Sequence, residues 1–141
     1  MQTLIISDIH GCYDELQTLL DQSGISDDDR IICIGDLLDK GPKPREVLDF
    51  FMATPNASSI RGNHEQKHIR NAAGEAPPKA AQLLTRWYLD ETYAQAVQWM
   101  RSLPLYMDLP EALLVHGYYE PGIAPQDQRD DVLLGFSSGE R

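Results

Sequence analysis

Four polar clusters in this chain each follow an apolar run, and each carries side chains that bind metal ions. Ser7, Asp8, Ile9, His10 and Gly11 follow Leu4, Ile5 and Ile6. Gly35, Asp36, Leu37, Leu38, Asp39, Lys40 and Gly41 follow the run from Ile31 to Ile34. Gly62, Asn63, His64 and Glu65 follow Ile60 and Arg61, and His116 and Gly117 follow Leu113, Leu114 and Val115. Carboxylate oxygen, imidazole nitrogen and amide oxygen together suit Mn, Fe or Zn better than an all-oxygen magnesium site. One ion can take Asp8 and His10, a second Asn63 and His116, with the two oxygens of Asp36 bridging them. Two such ions about 3.5–4 Å apart bind a phosphoryl group and activate water.

The elements that would bring these residues together follow from the hydrophobic pattern. Residues 2–7 read as a buried strand. Residues 13–23 read as a helix with Cys12, Leu16, Leu19 and Leu20 on one face. Gly24 stops it, and Ser26, Asp27, Asp28 and Asp29 make a solvated loop. Residues 30–34 form a second strand. Lys43 and Pro44 open a second helix, anchored by Val47, Leu48 and Phe51, and residues 57–61 give a third strand. Alternating strands and helices predict a parallel α/β sheet. In such sheets ligands bind beyond the carboxyl ends of the strands, where Asp8, Asp36, Asn63 and His116 fall.

Residues 64–101 form a helical excursion. A first helix starts near His64 and ends before Gly74. A second covers about 79–89, with Ala80, Leu83, Leu84 and Trp87 facing the core, and a third about 91–101, with Tyr93, Ala96, Val97 and Met100. The aromatic residues Trp87, Tyr88, Tyr93 and Trp99 are assigned to the core. Residues 112–116 return to the sheet. Beyond Tyr118 no periodicity dominates, and Val132, Leu133 and Leu134 are the only apolar run.

The chain has 141 residues, 42% of them hydrophobic and 24% charged, enough for one domain, 1–141, with a real core. Its 22 acidic and 12 basic residues give a formal charge of -10, which disfavours binding along a nucleic-acid backbone. No apolar run is long enough to span a bilayer. Cys12 and Cys33 have neither metal nor redox spacing and read as buried thiols in a reducing, cytoplasmic setting.

These motifs resemble the calcineurin-like metallophosphoesterase superfamily, in particular its phosphoprotein-phosphatase branch. The family pattern Asp-x-His-Gly is met by Asp8, His10 and Gly11. Gly-Asp-x-x-Asp-Arg-Gly is met by Gly35, Asp36, Asp39 and Gly41, with Lys40 in the arginine place. Gly-Asn-His-Glu is met by residues 62–65, and the strand-end histidine by His116. The resemblance implies an α-β-β-α sandwich, here its N-terminal part, and a phosphoester hydrolase with two divalent ions, manganese first. It implies one ion on Asp8, His10 and Asp36, and a second on Asp36, Asn63 and His116. It makes His64, paired with Asp39, the general acid, and gives the phosphate to Lys40 and Asn63. The implied substrate is phosphoserine or phosphothreonine in proteins, or another small phosphoester. Symmetrical dinucleoside tetraphosphates are the alternative.

The family pattern also supplies a downstream histidine, and no histidine follows His116. The last five residues, Ser137, Ser138, Gly139, Glu140 and Arg141, resemble an internal stretch of bacterial relatives. Truncation at the C-terminus is therefore expected, along with a sheet face that a dimer or partner would cover. A metal-binding module without activity is a further alternative.

Two residues after the third strand also admit other roles. His64, Glu65, Gln66, Lys67 and His68 match the H-E-x-x-H zinc-protease spacing. A protease site leaves Asp8, His10, Asp36 and Asp39 without a role, so His68 is assigned to the surface. Glu65 is assigned to its helix start rather than to metal.

Overall fold

The computed structural model describes residues 1–138; Gly139, Glu140 and Arg141, part of the tail likened above to an internal stretch, lie outside the described residues. Strands β1 (Thr3–Ile6), β2 (Arg30–Cys33) and β3 (Ala57–Ser59) form a parallel sheet in the order β1-β2-β3. Helix α1 (Tyr13–Ser23) links the first pair and α2 (Pro44–Ala53) the second. Then follow α3 (Asn63–Ala72), α4 (Ala80–Leu89) and α5 (Tyr93–Ser102), the hairpin β4 (Tyr106–Asp108) and β5 (Leu113–Val115), and α6 (Asp130–Leu133). The parallel sheet and its flanking helices make the expected α/β sandwich. Among the described residues no helix is long and apolar enough to cross a membrane.

Register is what matters for the site. Ile6 pairs with Cys33, and Cys33 with Ser59, so the three strands end level with one another. The loops that leave them therefore emerge side by side. Along β2, Ile31 and Cys33 join a core cluster with Leu16, Val47, Leu48, Phe51, Ile69, Val97 and Met100. Ile32, completely buried, points to the opposite face, where alternation puts every second side chain. The central strand is thus covered on both faces, and strand exposure falls on β1, where Ile5 is 44% exposed.

The structure corrects some sequence expectations and extends another. Residues 112–116 do not rejoin the parallel sheet: β5 pairs antiparallel with β4, closed by a turn in which Leu109 and Ala112 bond each other. A neighbouring partner across so short a loop costs little closure entropy. The tail has a fixed place: Val132, Leu133 and Leu134 are at most 3% exposed, and the carbonyls of Leu133 and Val132 accept from Gly117 and Tyr118. Helix α4 is turned over. Leu83, Leu84 and Trp87 face solvent, while Gln82, Thr85 and Leu89 are buried. Leu19 is likewise exposed.

Candidate metal centre

The loops after β1 and β2 are laced together by backbone hydrogen bonds. His10 donates to the Asp36 carbonyl (2.9 Å), Gly11 to Leu37 (2.8 Å) and Gly41 to His10 (2.7 Å). The lacing holds the chain in conformations that side chains rarely adopt. Asp8, His10, Asp36, Asp39 and Lys40 all have positive φ, between 48° and 70°. Each such residue costs on the order of 1–3 kcal/mol and persists only where its surroundings enforce it. The strain collects on the motifs singled out in the sequence.

Glu65 supplies part of that enforcement. It is completely buried, and its carboxylate accepts the N–H groups of Gly62, Asp36 and Leu37, each at 2.9 Å. Burial and the neighbouring Asp36 carboxylate push its carboxyl up, against those donors. Glu65 therefore caps α3, as the sequence suggests, and also bolts the β2 loop to the β3 loop.

Asp36 stands at the middle. Its Oδ2 lies 3.6 Å from His10 Nε2 and its Oδ1 3.4 Å from His116 Nε2. His10 Nε2 is also 3.9 Å from Asp8 Oδ1. Donor atoms of Asp8, Asp36 and His116 lie within 4.8 Å of one another, as do those of His10, Asp36 and His64. These two candidate clusters share Asp36. In these clusters His116 stands beside Asp8 and His64 beside His10, while Asp8 also stays beside His10.

The donor set fits divalent ions on three observations. His10 Nδ1 donates to the Leu38 carbonyl (2.7 Å) and His116 Nδ1 to the Ile34 carbonyl (2.8 Å). Both rings are thereby held in the tautomer that leaves Nε2 as a lone-pair ligand. Asn63 Oδ1 is buried and without a hydrogen-bond partner, the state of an acceptor whose partner is a cation. Lys40 Nζ stands at the edge of the site, 3.2 Å from His10 Nε2. Asp8 is the exposed member, held by the hydroxyl of Ser7.

Beside this centre, His64 Nδ1 donates to Asp39 Oδ2 at 2.6 Å. Burial alone would raise the Asp39 carboxyl. The hydrogen bonds from His64, His68 and Thr85 overturn that and hold it well below the usual carboxylate range. Only His64 Nε2 is left for chemistry, and Lys67 Nζ is 3.4 Å from it. The structure thus brings Asp8, His10, Asp36, Asp39, Asn63, His64 and His116 to one place, with Lys40 at its edge.

Sequence reasoning missed four residues here. His68 is not on the surface: it is completely buried and its Nε2 lies 2.9 Å from Asp39 Oδ1. Gln82 and Thr85 also donate to Asp39, at 2.7 Å each. The signal for His68 was its place one helical turn beyond His64, on the same face. Gln82 and Thr85, three apart between apolar residues, form the polar face of α4. Lys67 carries no motif that would have found it.

A family model described as calcineurin-like phosphoesterase matches residues 1–134. Over 128 residues the chain is 36% identical to a symmetrical bis(5'-nucleosyl)-tetraphosphatase of Erwinia tasmaniensis, covering 89% of this chain and 46% of that protein. Identity to the Vibrio vulnificus protein of the same description is 32%, with the same coverage. A solved metallophosphoesterase from Sphaerobacter thermophilus superposes with a TM-score of 0.63 at 32% identity, covering 82% of this chain and 46% of that one. The chain spans about half the length of the curated relatives it matches.

Proposed function

The chain belongs to the calcineurin-like phosphoesterase family, and on that premise we propose that it carries the metal-binding face of a symmetrical dinucleoside-tetraphosphate hydrolase. The observation that carries hydrolysis is the divided carboxylate of Asp36, one oxygen toward His10 and the other toward His116. The substrate class is supported by the curated relatives, described as symmetrical tetraphosphatases. They favour it over the phosphoprotein reading of the sequence.

In this proposal Asp8, His10 and Asp36 hold one ion, and Asp36, Asn63 and His116 the other, with manganese as the first choice. When bound, such ions polarise a phosphoryl group and lower the pKa of bound water. The protein's own groups supply the rest. Asp39 holds His64 by its Nδ1 proton and fixes the direction of the ring, so that a proton on Nε2 can pass to the departing oxygen. Lys40, Lys67 and the amide N–H of Asn63 place donors where phosphate oxygens gather. Water adds at an inner phosphorus, the central P–O–P link breaks, and two nucleoside diphosphates leave. A cytoplasmic setting belongs to the proposal, in keeping with the unpaired Cys12 and Cys33.

The test is a product analysis. The manganese-loaded chain is incubated with diadenosine tetraphosphate and, separately, with a phosphoserine peptide, and products are separated by anion exchange. ADP as the only nucleotide product, formed faster than phosphate from the peptide, is the expected result. Phosphate release from the peptide alone restores the phosphoprotein reading. Tight metal binding with turnover of neither makes the chain an inactive module.

A further inference from the structure

Asp39 is completely buried and accepts four side-chain hydrogen bonds. On Oδ2 they come from His64 Nδ1 (2.6 Å) and Gln82 Nε2 (2.7 Å). On Oδ1 they come from His68 Nε2 (2.9 Å) and Thr85 Oγ1 (2.7 Å). His68 has a second partner, Tyr93 Oη, at 3.1 Å from Nδ1. With its proton on Nε2, His68 donates to Asp39 and accepts the Tyr93 hydroxyl proton, so both ring nitrogens have partners. The result is a continuous line of hydrogen bonds, Tyr93 to His68 to Asp39, met from the other side by His64.

We infer that His68, Gln82 and Thr85 are positioning residues that fix the plane of the Asp39 carboxylate and through it the tautomer and direction of His64. Two donors on each oxygen define the carboxylate plane. With only His64 bonded, the carboxylate can turn about its Cβ–Cγ bond, and His64 can turn with it. Asp39 gets no help from an ordinary backbone, since its φ is 70°. Helix α4 buries its polar residues for this purpose, leaving Leu83, Leu84 and Trp87 outside. A cluster that merely tied α3 to α4 could do so with apolar contacts, without desolvating a histidine, an amide and a hydroxyl. The catalytic consequence rests on the function proposed above; the positioning itself does not.

Four variants separate these cases. Thr85→Val removes one donor at nearly constant volume. His68→Leu with Thr85→Val strips Oδ1 of both donors. His68→Gln keeps an amide donor near the place of Nε2. Gln82→Met removes the second donor from Oδ2. The first readout is the ring nitrogen and Nδ1–H spectrum of His64 by NMR in the metal-free chain. The parent should show one tautomer with a far-downfield Nδ1–H. Thr85→Val and Gln82→Met should move that signal upfield. The double variant should abolish it, and His68→Gln should keep it. The second readout, in the manganese-loaded chain, is turnover of an alkyl and an aryl phosphomonoester. The double variant should lose up to roughly 10²-fold in kcat on the alkyl ester, less on the aryl ester, at unchanged KM. His64 signals unmoved in Thr85→Val and Gln82→Met overturn the inference, even if the double variant fails to fold. Signals that move with an unchanged alkyl-to-aryl ratio uphold positioning and overturn the proton-donor role of His64.

Discussion

Gly62→Ala should weaken metal binding without touching a ligand. Gly62 caps α3 in extended backbone, φ -93° and ψ 176°, which alanine adopts freely, so the substitution acts through space alone. A Cβ placed there would lie 2.3 Å from Asp36 Oδ1, 2.4 Å from Asp36 N and 2.8 Å from Glu65 Oε2. Such contacts need at least 3.0 Å where 2.3 Å is available, so the bridging carboxylate or its backbone must move by about 0.7 Å. Metal–ligand distances tolerate roughly ±0.2 Å. Displacing one oxygen of the shared ligand by more than three times that should cost at least the ~10–100-fold in affinity typical of a disturbed supporting shell. Overpacking should also lower stability by about 1–3 kcal/mol. Titration calorimetry with Mn²⁺, well below the melting temperature, reads the affinity. Gly74→Ala is the control, because nothing lies within 4 Å of its Cβ and only a positive φ of 75° is disturbed. Parent-like manganese affinity in Gly62→Ala would refute the placement of Asp36 at the centre of the site.

Four further outcomes follow from the same geometry. His64→Asn and Asp39→Asn should keep metal, lose roughly 10²–10⁴-fold in turnover on alkyl phosphoesters, Asp39→Asn more mildly, and lose less on aryl ones; metal analysis beside steady-state kinetics checks this, and metal loss would contradict it. Lys67→Met should raise KM for a tetraphosphate by roughly 10-fold or more, with kcat little changed, if its ammonium binds phosphate; an unchanged KM removes it from the site. Asp29 is lowered to about 2 by the N–H of Gln2 and the N–H and hydroxyl of Ser26, and Asp39 is also lowered. A depressed carboxyl stabilises the fold above its unfolded value, about 4, and the contribution is lost as pH falls toward 2. Thermal melts should drop below pH 4, and Asp29→Asn should flatten that drop. The exposed Ile5, Leu19, Leu83, Leu84 and Trp87 lead us to propose self-association of the chain; a single monomeric species in concentration-dependent sedimentation would remove that expectation.

The sheet could be read from the sequence because its information is local. Apolar runs set β1, β2 and β3, and polar clusters at their ends lie together once parallel register is given. The setting of His116 was harder. Its strand pairs with β4, whose sequence Tyr106, Met107 and Asp108 carries no strand-like alternation to mark it. The residues that hold it in place lie some 16 positions further on, as the carbonyls of Val132 and Leu133 against Tyr118 and Gly117. A Cβ on Gly117 would sit 2.1 Å from Gly135 N. That close approach between two distant glycines has no periodicity to reveal it.

Helix α4 shows why a sound amphipathic pattern can point to the wrong face. Ala80, Leu83, Leu84 and Trp87 do form an apolar side, and burying it would gain roughly 1.5–3 kcal/mol for each large residue. Against that stands one carboxylate. Leaving a buried, ionised Asp39 short of hydrogen bonds costs several kcal/mol, and no surface position of α4 can supply the donors. Gln82 and Thr85 can only reach it if the helix turns its polar side inward, and that turn puts the apolar stripe outside. The same demand draws His68 from the surface into the interior, because the residue one turn after His64 is a second donor on α3 within reach of Asp39. The spacing of apolar residues along a helix is thus a reliable guide where the neighbours are apolar. It fails where a neighbouring loop delivers a buried charge, and here that charge belongs to the motif the sequence had already marked for chemistry.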